Sequence, residues 1–241
     1  MSFRFRPGLA AAAALAFAAL CALGVWQLQR LEWKRALIAD MRARLDAPPI
    51  AFDAAAARQQ AGEAMDYQPV FIDGVYAHDL ESFVFGTYEG EPGVYVFTPL
   101  DAADPATGGR RFVYVNRGFA PQRLVEAGAP AAWRTAGAVR VEGLFRRAEQ
   151  RRGLARLIAP KDQPQDNLYF IRDPVALARR HGVEAPPHYI DSSGREHAGL
   201  WPKGGVTRLD LPNRHLGYAL TWFGLAAALL AVFVAYSMKR R

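Results

Sequence analysis

The stretch Pro212-Asn213-Arg214-His215-Leu216-Gly217-Tyr218-Ala219-Leu220-Thr221-Trp222-Phe223 leads into a run that carries no charged residue from Leu216 to Met238. A helix rising about 1.5 Å per residue over that run crosses a hydrocarbon core of about 30 Å. The stretch therefore predicts a membrane-spanning helix with one ionisable group, His215, at its mouth. An ionisable side chain at such an edge is a functional candidate by default. An imidazole there also has the chemistry to ligate a metal or a haem iron.

Working outward, a second uncharged run, rich in alanine, extends from Leu9 to Leu28. The segment between, residues 29–215, is long enough for one domain with its own core. The chain reads as a tail 1–8, a transmembrane helix 9–28, a β-rich α+β extramembrane domain 29–215, a transmembrane helix 216–238 and a tail 239–241. A secretory signal peptide is the rival reading of the first run, because Ala-x-Ala sequences occur inside it. Its length and the aromatic, basic sequence that follows favour a retained helix. Leu20 is too bulky to precede a lipoprotein cysteine at Cys21.

The net charge of +7 suggests nucleic acid until it is located. Arg4, Arg6, Lys239, Arg240 and Arg241 flank the two runs and leave 25 basic against 23 acidic residues between them. The excess is mainly flanking charge of the positive-inside kind, which places both termini in the cytoplasm and the domain in the periplasm. Arg30, Lys34 and Arg35 oppose that rule, but long loops cross regardless of charge. No basic nucleic-acid face remains. The single cysteine, Cys21, excludes an internal disulfide, a paired-thiolate copper site and a Cys-x-x-Cys-His haem attachment. With no presequence before Leu9, a bacterial inner membrane is expected.

Beyond the first run, Trp26, Arg30 and Trp33 fall at i, i+4 and i+7, one face of a helix leaving the bilayer. Aromatic residues and bases at an interface account for that face. The helical pattern persists to about Leu45, where Pro48-Pro49 stops it. Residues 53–64 suit a short helix. Val70–Tyr76, Ser82–Tyr88, Val94–Leu100, Arg111–Phe119, Val139–Arg146, Leu168–Arg172 and His188–Asp191 read as strands. Gly90-Glu91-Pro92-Gly93 and Asp104-Pro105-Ala106-Thr107-Gly108-Gly109 punctuate them. Pro174–His181 reads as a short helix ended by Gly182.

Most catalytic signatures are missing, including a phosphate-binding glycine loop and a Gly-x-Ser-x-Gly elbow. His78, His181, His188 and His197 have no metal-ligand spacing and are expected as exposed loop residues. Asp173 and Asp191 stand near turn signals, where bonds to local backbone account for them. An enzyme active site is not expected.

His215 differs by position. Asn213 is a plausible N-cap, which puts His215 in the first turn, where the positive end of the helix dipole favours a neutral imidazole. Tyr218 and Trp222 follow at i+3 and i+7, an aromatic stripe able to lie along a porphyrin face. Gly217 and Gly224 are small enough for the alanine-rich first span to approach. Arg214, Arg30 and Arg117 are available for propionate carboxylates. From these residues alone, an interfacial histidine beside an aromatic belt competes with a ligand.

Gly24-Val25-Trp26-Gln27 with Arg30 and Trp33-Lys34, then Tyr67-Gln68-Pro69-Val70, Gly74-Val75-Tyr76 and Thr98-Pro99-Leu100, occur in an order that resembles the Surfeit locus protein family. Val115-Asn116-Arg117-Gly118-Phe119-Ala120-Pro121 is similar to its Asn-Arg-Gly-Trp-Val-Pro element, and Pro160, Pro164, Asn167, Tyr169 and Asp173 to its later block. Asn213 to Phe223 is similar to its signature Asn-Asn-His-Leu-x-Tyr-Ala-Leu-Thr-Trp-Phe. Phe119-Ala120, Arg214 and Gly217 depart from the pattern. The resemblance implies a cytochrome c oxidase assembly factor that binds haem a through His215, with Trp222 close by, and serves oxidase subunit I. Tyr218 and Arg214 join the expected cofactor site; haem a synthase and membrane lipids are further expected partners. A haem-free scaffold that steadies subunit I is the alternative.

Overall fold

The computed structural model describes residues 7–126, 128, 133–151, 153, 155–195, 201–207 and 213–238. They fall into two compact units: the two terminal helices form one, and the described residues between Ala43 and Arg208 form the other. His197 lies outside the described residues.

The first unit holds α1, Pro7–Leu45, and α6, His215–Ser237. Both are long and apolar enough to cross a membrane. α1 does not end where its apolar run does. From Val25 to Leu45 the chain has neither glycine nor proline and is rich in Ala, Leu and Arg, so the helix continues until Pro48-Pro49 forbids it. Residues 29–42 belong to this helix, and the β-rich unit begins at Ala43.

The second unit contains strands β1 (Ile50–Ala51), β2 (Pro69–Tyr76), β3 (Ser82–Tyr88), β4 (Glu91–Ala103), β5 (Arg110–Pro121), β6 (Ala138–Arg147), β7 (Leu168–Tyr169) and β8 (His188–Ser192). Helices α2 (Phe52–Gln60), α3 (Gln122–Glu126), α4 (Ala155–Ile158) and α5 (Pro174–Arg180) interrupt them. The sheet order is β1-β2-β6-β8-β5-β4-β3-β7, and β2 also pairs with β4. That extra pairing, Val75↔Asp101 and Tyr76↔Leu100, closes β2, β6, β8, β5 and β4 into a ring of five strands. β8, late in sequence, lies between β5 and β6, parallel to the first and antiparallel to the second.

Alternation along the strands fills the ring. Val70, Ile72, Leu100, Val113, Val115, Val141, Phe145 and Ile190 form one apolar cluster, joined by Phe52 and Ala55 of α2. The intervening residues face outward, where Tyr95, Phe97, Tyr114 and Tyr189 pack with Tyr169 and with Leu177 of α5 in a second cluster.

Two expected strands end differently for local reasons. The β3–β4 hairpin turns at Glu89-Gly90, both at positive φ (51° and 85°), which is the backbone of a two-residue hairpin loop. β4 therefore begins at Glu91 and absorbs Pro92-Gly93, residues the sequence suggests as turn. Expected strand 168–172 stops at Tyr169 because side chains capture the next backbone donors. Phe170 N donates to Asp162 Oδ1 at 2.8 Å and Arg172 N to Glu149 Oε2 at 3.2 Å.

Candidate functional site

α6 begins one residue later than Asn213 as a cap implies. Arg214 occupies the N-cap without a side-chain bond, and Tyr218 N donates to Arg214 O at 3.3 Å as the first intrahelical bond. Asn213 is thus one position too early for its side chain to reach the first-turn donors, and its buried Oδ1 accepts no hydrogen bond among the described residues. His215 is consequently the first helical residue.

The half-buried His215 ring is held from the other helix: its Nδ1 lies 2.7 Å from Oε1 of Gln27, which is only 9% exposed. An amide oxygen only accepts, so Nδ1 is the donor of this bond and Nε2 is the ring nitrogen left for a ligand. No described residue takes up Nε2. Three residues before Gln27, Gly24 meets Phe223 of α6 so closely that a Cβ there would stand 2.6 Å from Phe223 Cζ. The two contacts run in opposite directions along the two chains, so α1 and α6 form an antiparallel pair with His215 near its end.

This close approach reverses the expected one. Gly217 and Gly224 have nothing within 4 Å of an added Cβ. The small residue that admits its neighbour is on α1, and it receives a ring from α6. Tyr218 is 56% exposed and Trp222 half-buried, so the stripe after His215 presents an open aromatic and a partly covered one.

The expected cationic partners separate. Arg214 is exposed beside His215. Arg30 is exposed and stacks on Trp33, its Cζ 4.2 Å from the ring centroid, consistent with the interfacial reading of that face. Arg117 is not available at all. It is fully buried in the β-rich unit, donates from Nη2 to Trp133 O, faces Glu81 with Nη1 at 3.5 Å and lies over the Tyr76 ring. The neighbouring Gly118 explains the tight packing: at φ 121° its Cβ would fall 2.0 Å from Lys203 O.

Nor are His78, His181 and His188 exposed. His188 is buried in β8, its ring 4.9 Å from Phe145; burial pushes its pKa below the usual 6.5. His181 contacts Ser82 Oγ at 3.2 Å. His78 Nε2 accepts from Thr135 N at 3.0 Å. Strand alternation buries His188, and tertiary partners, invisible in spacing, half-cover His78 and His181. Asp173 does cap its helix, accepting from Val175 N at 3.1 Å. Asp191 does not act locally: it is 4% exposed and bonds Asn116, Arg146 and Thr207 across the unit.

Among the described residues no group of three or more His, Cys, Asp or Glu converges. The donor set at His215 is one imidazole nitrogen with aromatic neighbours. Such a set offers one nitrogen ligand and does not make a closed metal site. Gln27, which meets the ring, entered the sequence reading only as part of the Gly24-Val25-Trp26-Gln27 block and not as a site residue. Its signal was an uncharged amide inside the final turns of an apolar run.

The SURF1 family profile matches residues 14–227. Surfeit locus protein 1 of Rattus norvegicus is 31% identical over 221 residues, covering 86% of this chain and 68% of the relative. The Homo sapiens protein of that name is 32% identical over 222 residues, covering 86% and 70%. A SURF1-like protein of Monosiga brevicollis is 32% identical over 229 residues, covering 90% and 83%.

Proposed function

Because the chain belongs to the SURF1 family, we propose that it is a cytochrome c oxidase biogenesis factor that binds haem a through His215 and aids its insertion into subunit I. The observation that carries this reading is the bond between His215 Nδ1 and Gln27 Oε1 at 2.7 Å. It orients the ring and leaves Nε2 without a hydrogen-bond partner among the described residues, the arrangement by which ligating histidines are oriented.

When bound, haem a would supply an iron able to take a nitrogen ligand. The residues of this chain do the rest. His215 offers Nε2, and Gln27 holds the ring. Tyr218 and Trp222 offer aromatic faces on the same side of α6, and Arg214 offers a guanidinium for a carboxylate. A lone imidazole on a helix pair grips iron less than two converging ligands do, which suits a carrier that must release its cofactor and is not an enzyme.

The proposed location is a bacterial inner membrane, with α1 and α6 spanning it, both termini cytoplasmic and the β-rich unit periplasmic. The helices' length and composition and the basic flanking residues support that orientation. Subunit I and haem a synthase are the proposed protein partners.

The test is purification of wild type and His215→Ala from cells that make haem a. Wild type should carry a stoichiometric Soret absorption that the variant loses; equal absorption in both would remove His215 as ligand. A second reading draws on the same hydrogen bond, since a His–Gln bond also clamps two helices. As a haem-free scaffold, the wild type would co-purify with subunit I and carry no stoichiometric haem.

A further inference from the structure

The β-rich unit carries a polar cavity of about 380 Å³ on the outer face of its strand ring. Alternation puts it there: Phe145 and Ile190 point into the ring, so Arg146 and Asp191 point out. Asn116 of β5, Tyr95 of β4, and Arg172, which follows β7, complete the wall used below.

Asp191 holds the wall together and has little left to offer a ligand. Its Oδ1 accepts from Asn116 Nδ2 at 2.7 Å, and its Oδ2 accepts from Arg146 Nη1 at 2.9 Å and Thr207 Oγ1 at 3.2 Å. The guanidinium groups, by contrast, keep unused donors. Arg146 lies flat over Tyr67, its Cζ 4.4 Å from the ring centroid. After the bond to Asp191, its buried Nε has no hydrogen-bond partner among the described residues, and Nη2 makes none. Asp66 is the nearest further carboxylate to Nε, at 3.9 Å. Arg172 lies over Tyr95 at 4.4 Å and gives Nη1 to Glu149 at 3.3 Å. Its Nε and Nη2 bond no described residue.

Two guanidinium groups, each stacked on an aromatic face and paired with carboxylate (Asp191 and Asp66 for Arg146, Glu149 for Arg172), therefore line one cavity with N–H groups that bond no described residue, Arg146 Nε being the buried one. An unmatched buried donor is costly, and the complement of a guanidinium fork is an oxyanion. We propose that this cavity binds a small oxyanionic ligand, a carboxylate or a phosphate, held jointly by Arg146 and Arg172. Asp191 and Glu149 balance the two cations, so recognition rests on donor geometry more than on net charge and the affinity is moderate. The site belongs to the β-rich unit alone and does not depend on the haem reading.

Equilibrium dialysis of the full chain in detergent tests this, with radiolabelled inorganic phosphate in one arm and succinate in the other. One arm should saturate at one site per chain, and the arm that does names the chemistry. Arg172→Met should weaken that binding tenfold or more, while Arg140→Met, which alters an exposed pair with Asp73 elsewhere, should leave it unchanged. Arg146→Met should weaken it too. If that variant fails to fold once Asp191 loses its partner, Arg172→Met decides alone. No saturation by either anion up to about 10 mM, a weak-binding ceiling, would overturn the proposal. Equal weakening by Arg172→Met and Arg140→Met would overturn it as well.

Discussion

Gln27 and His215, 188 positions apart in sequence, share a hydrogen bond of 2.7 Å between Oε1 and Nδ1. Removing the acceptor frees the imidazole to exchange tautomers and rotate. Gln27→Leu should lower haem occupancy by about 10- to 100-fold, the usual effect of losing a ligand-orienting partner. Gln27→Glu keeps an acceptor at that place and should retain most of the occupancy. Nitrogen NMR of the labelled haem-free protein supplies a second readout: wild type should show the Nδ1–H form, and Gln27→Leu a mixture. An unchanged tautomer in Gln27→Leu would dismiss the orienting role.

Gly24 sets how closely the helix pair can pack. An added Cβ would lie 2.6–2.9 Å from three atoms of the Phe223 ring, so Gly24→Ala forces the ring or the helix aside. Overpacking of this kind costs about 1–3 kcal/mol. The melting temperature in detergent should fall for Gly24→Ala and recover when Phe223→Leu is added. Gly217→Ala and Gly224→Ala, where an added Cβ meets open space, should not lower it. Equal melting of Gly24→Ala and wild type would refute the close approach.

His188 makes the β-rich unit sensitive to acid. Burial is the largest influence on its pKa and lowers it from the usual 6.5, with nearby Asp66 opposing and Arg147 assisting. Burial, then Arg180, lowers that of His181 as well. A depressed histidine takes up its proton first in the unfolded chain. Stability is therefore unaffected above the unfolded pKa and declines as pH falls from about 6.5 toward the folded value. The urea midpoint should drop between roughly pH 7 and 5, and His188→Phe, which keeps a ring against Phe145, should shrink the drop. A midpoint flat over that interval would contradict the assignment.

Much of this fold was legible because each element carried its own punctuation. Ser82–Tyr88 announces itself by aromatic and β-branched residues between turn signals and Pro174–His181 by a proline at a helix start; the structure has the strand at those bounds and the helix over Pro174–Arg180. Ring closure was not legible. The contacts of Val75 with Asp101 and Tyr76 with Leu100 are set by curvature, which no local pattern encodes. His215 stood out because a charge-capable group at an apolar edge is conspicuous, whereas Gln27 is an ordinary amide until the other helix arrives. Arg117 misled for the converse reason. An arginine is presumed wet unless a partner is known, and Glu81, Tyr76 and Trp133 come from three other segments.

The position of β8 carries a consequence for synthesis. Residues 188–192 wedge between strands that precede them by more than 40 and more than 60 positions, so β5 and β6 cannot be joined until the ribosome has passed Ser192. Until then both present unpaired edges, the kind of surface on which chains associate wrongly. The ring must form late and largely at once, since its last strand to emerge joins the two halves. Chains truncated shortly before His188 should accordingly depend on chaperones or proteolysis, while those ending just beyond Ser192 contain every strand the ring requires.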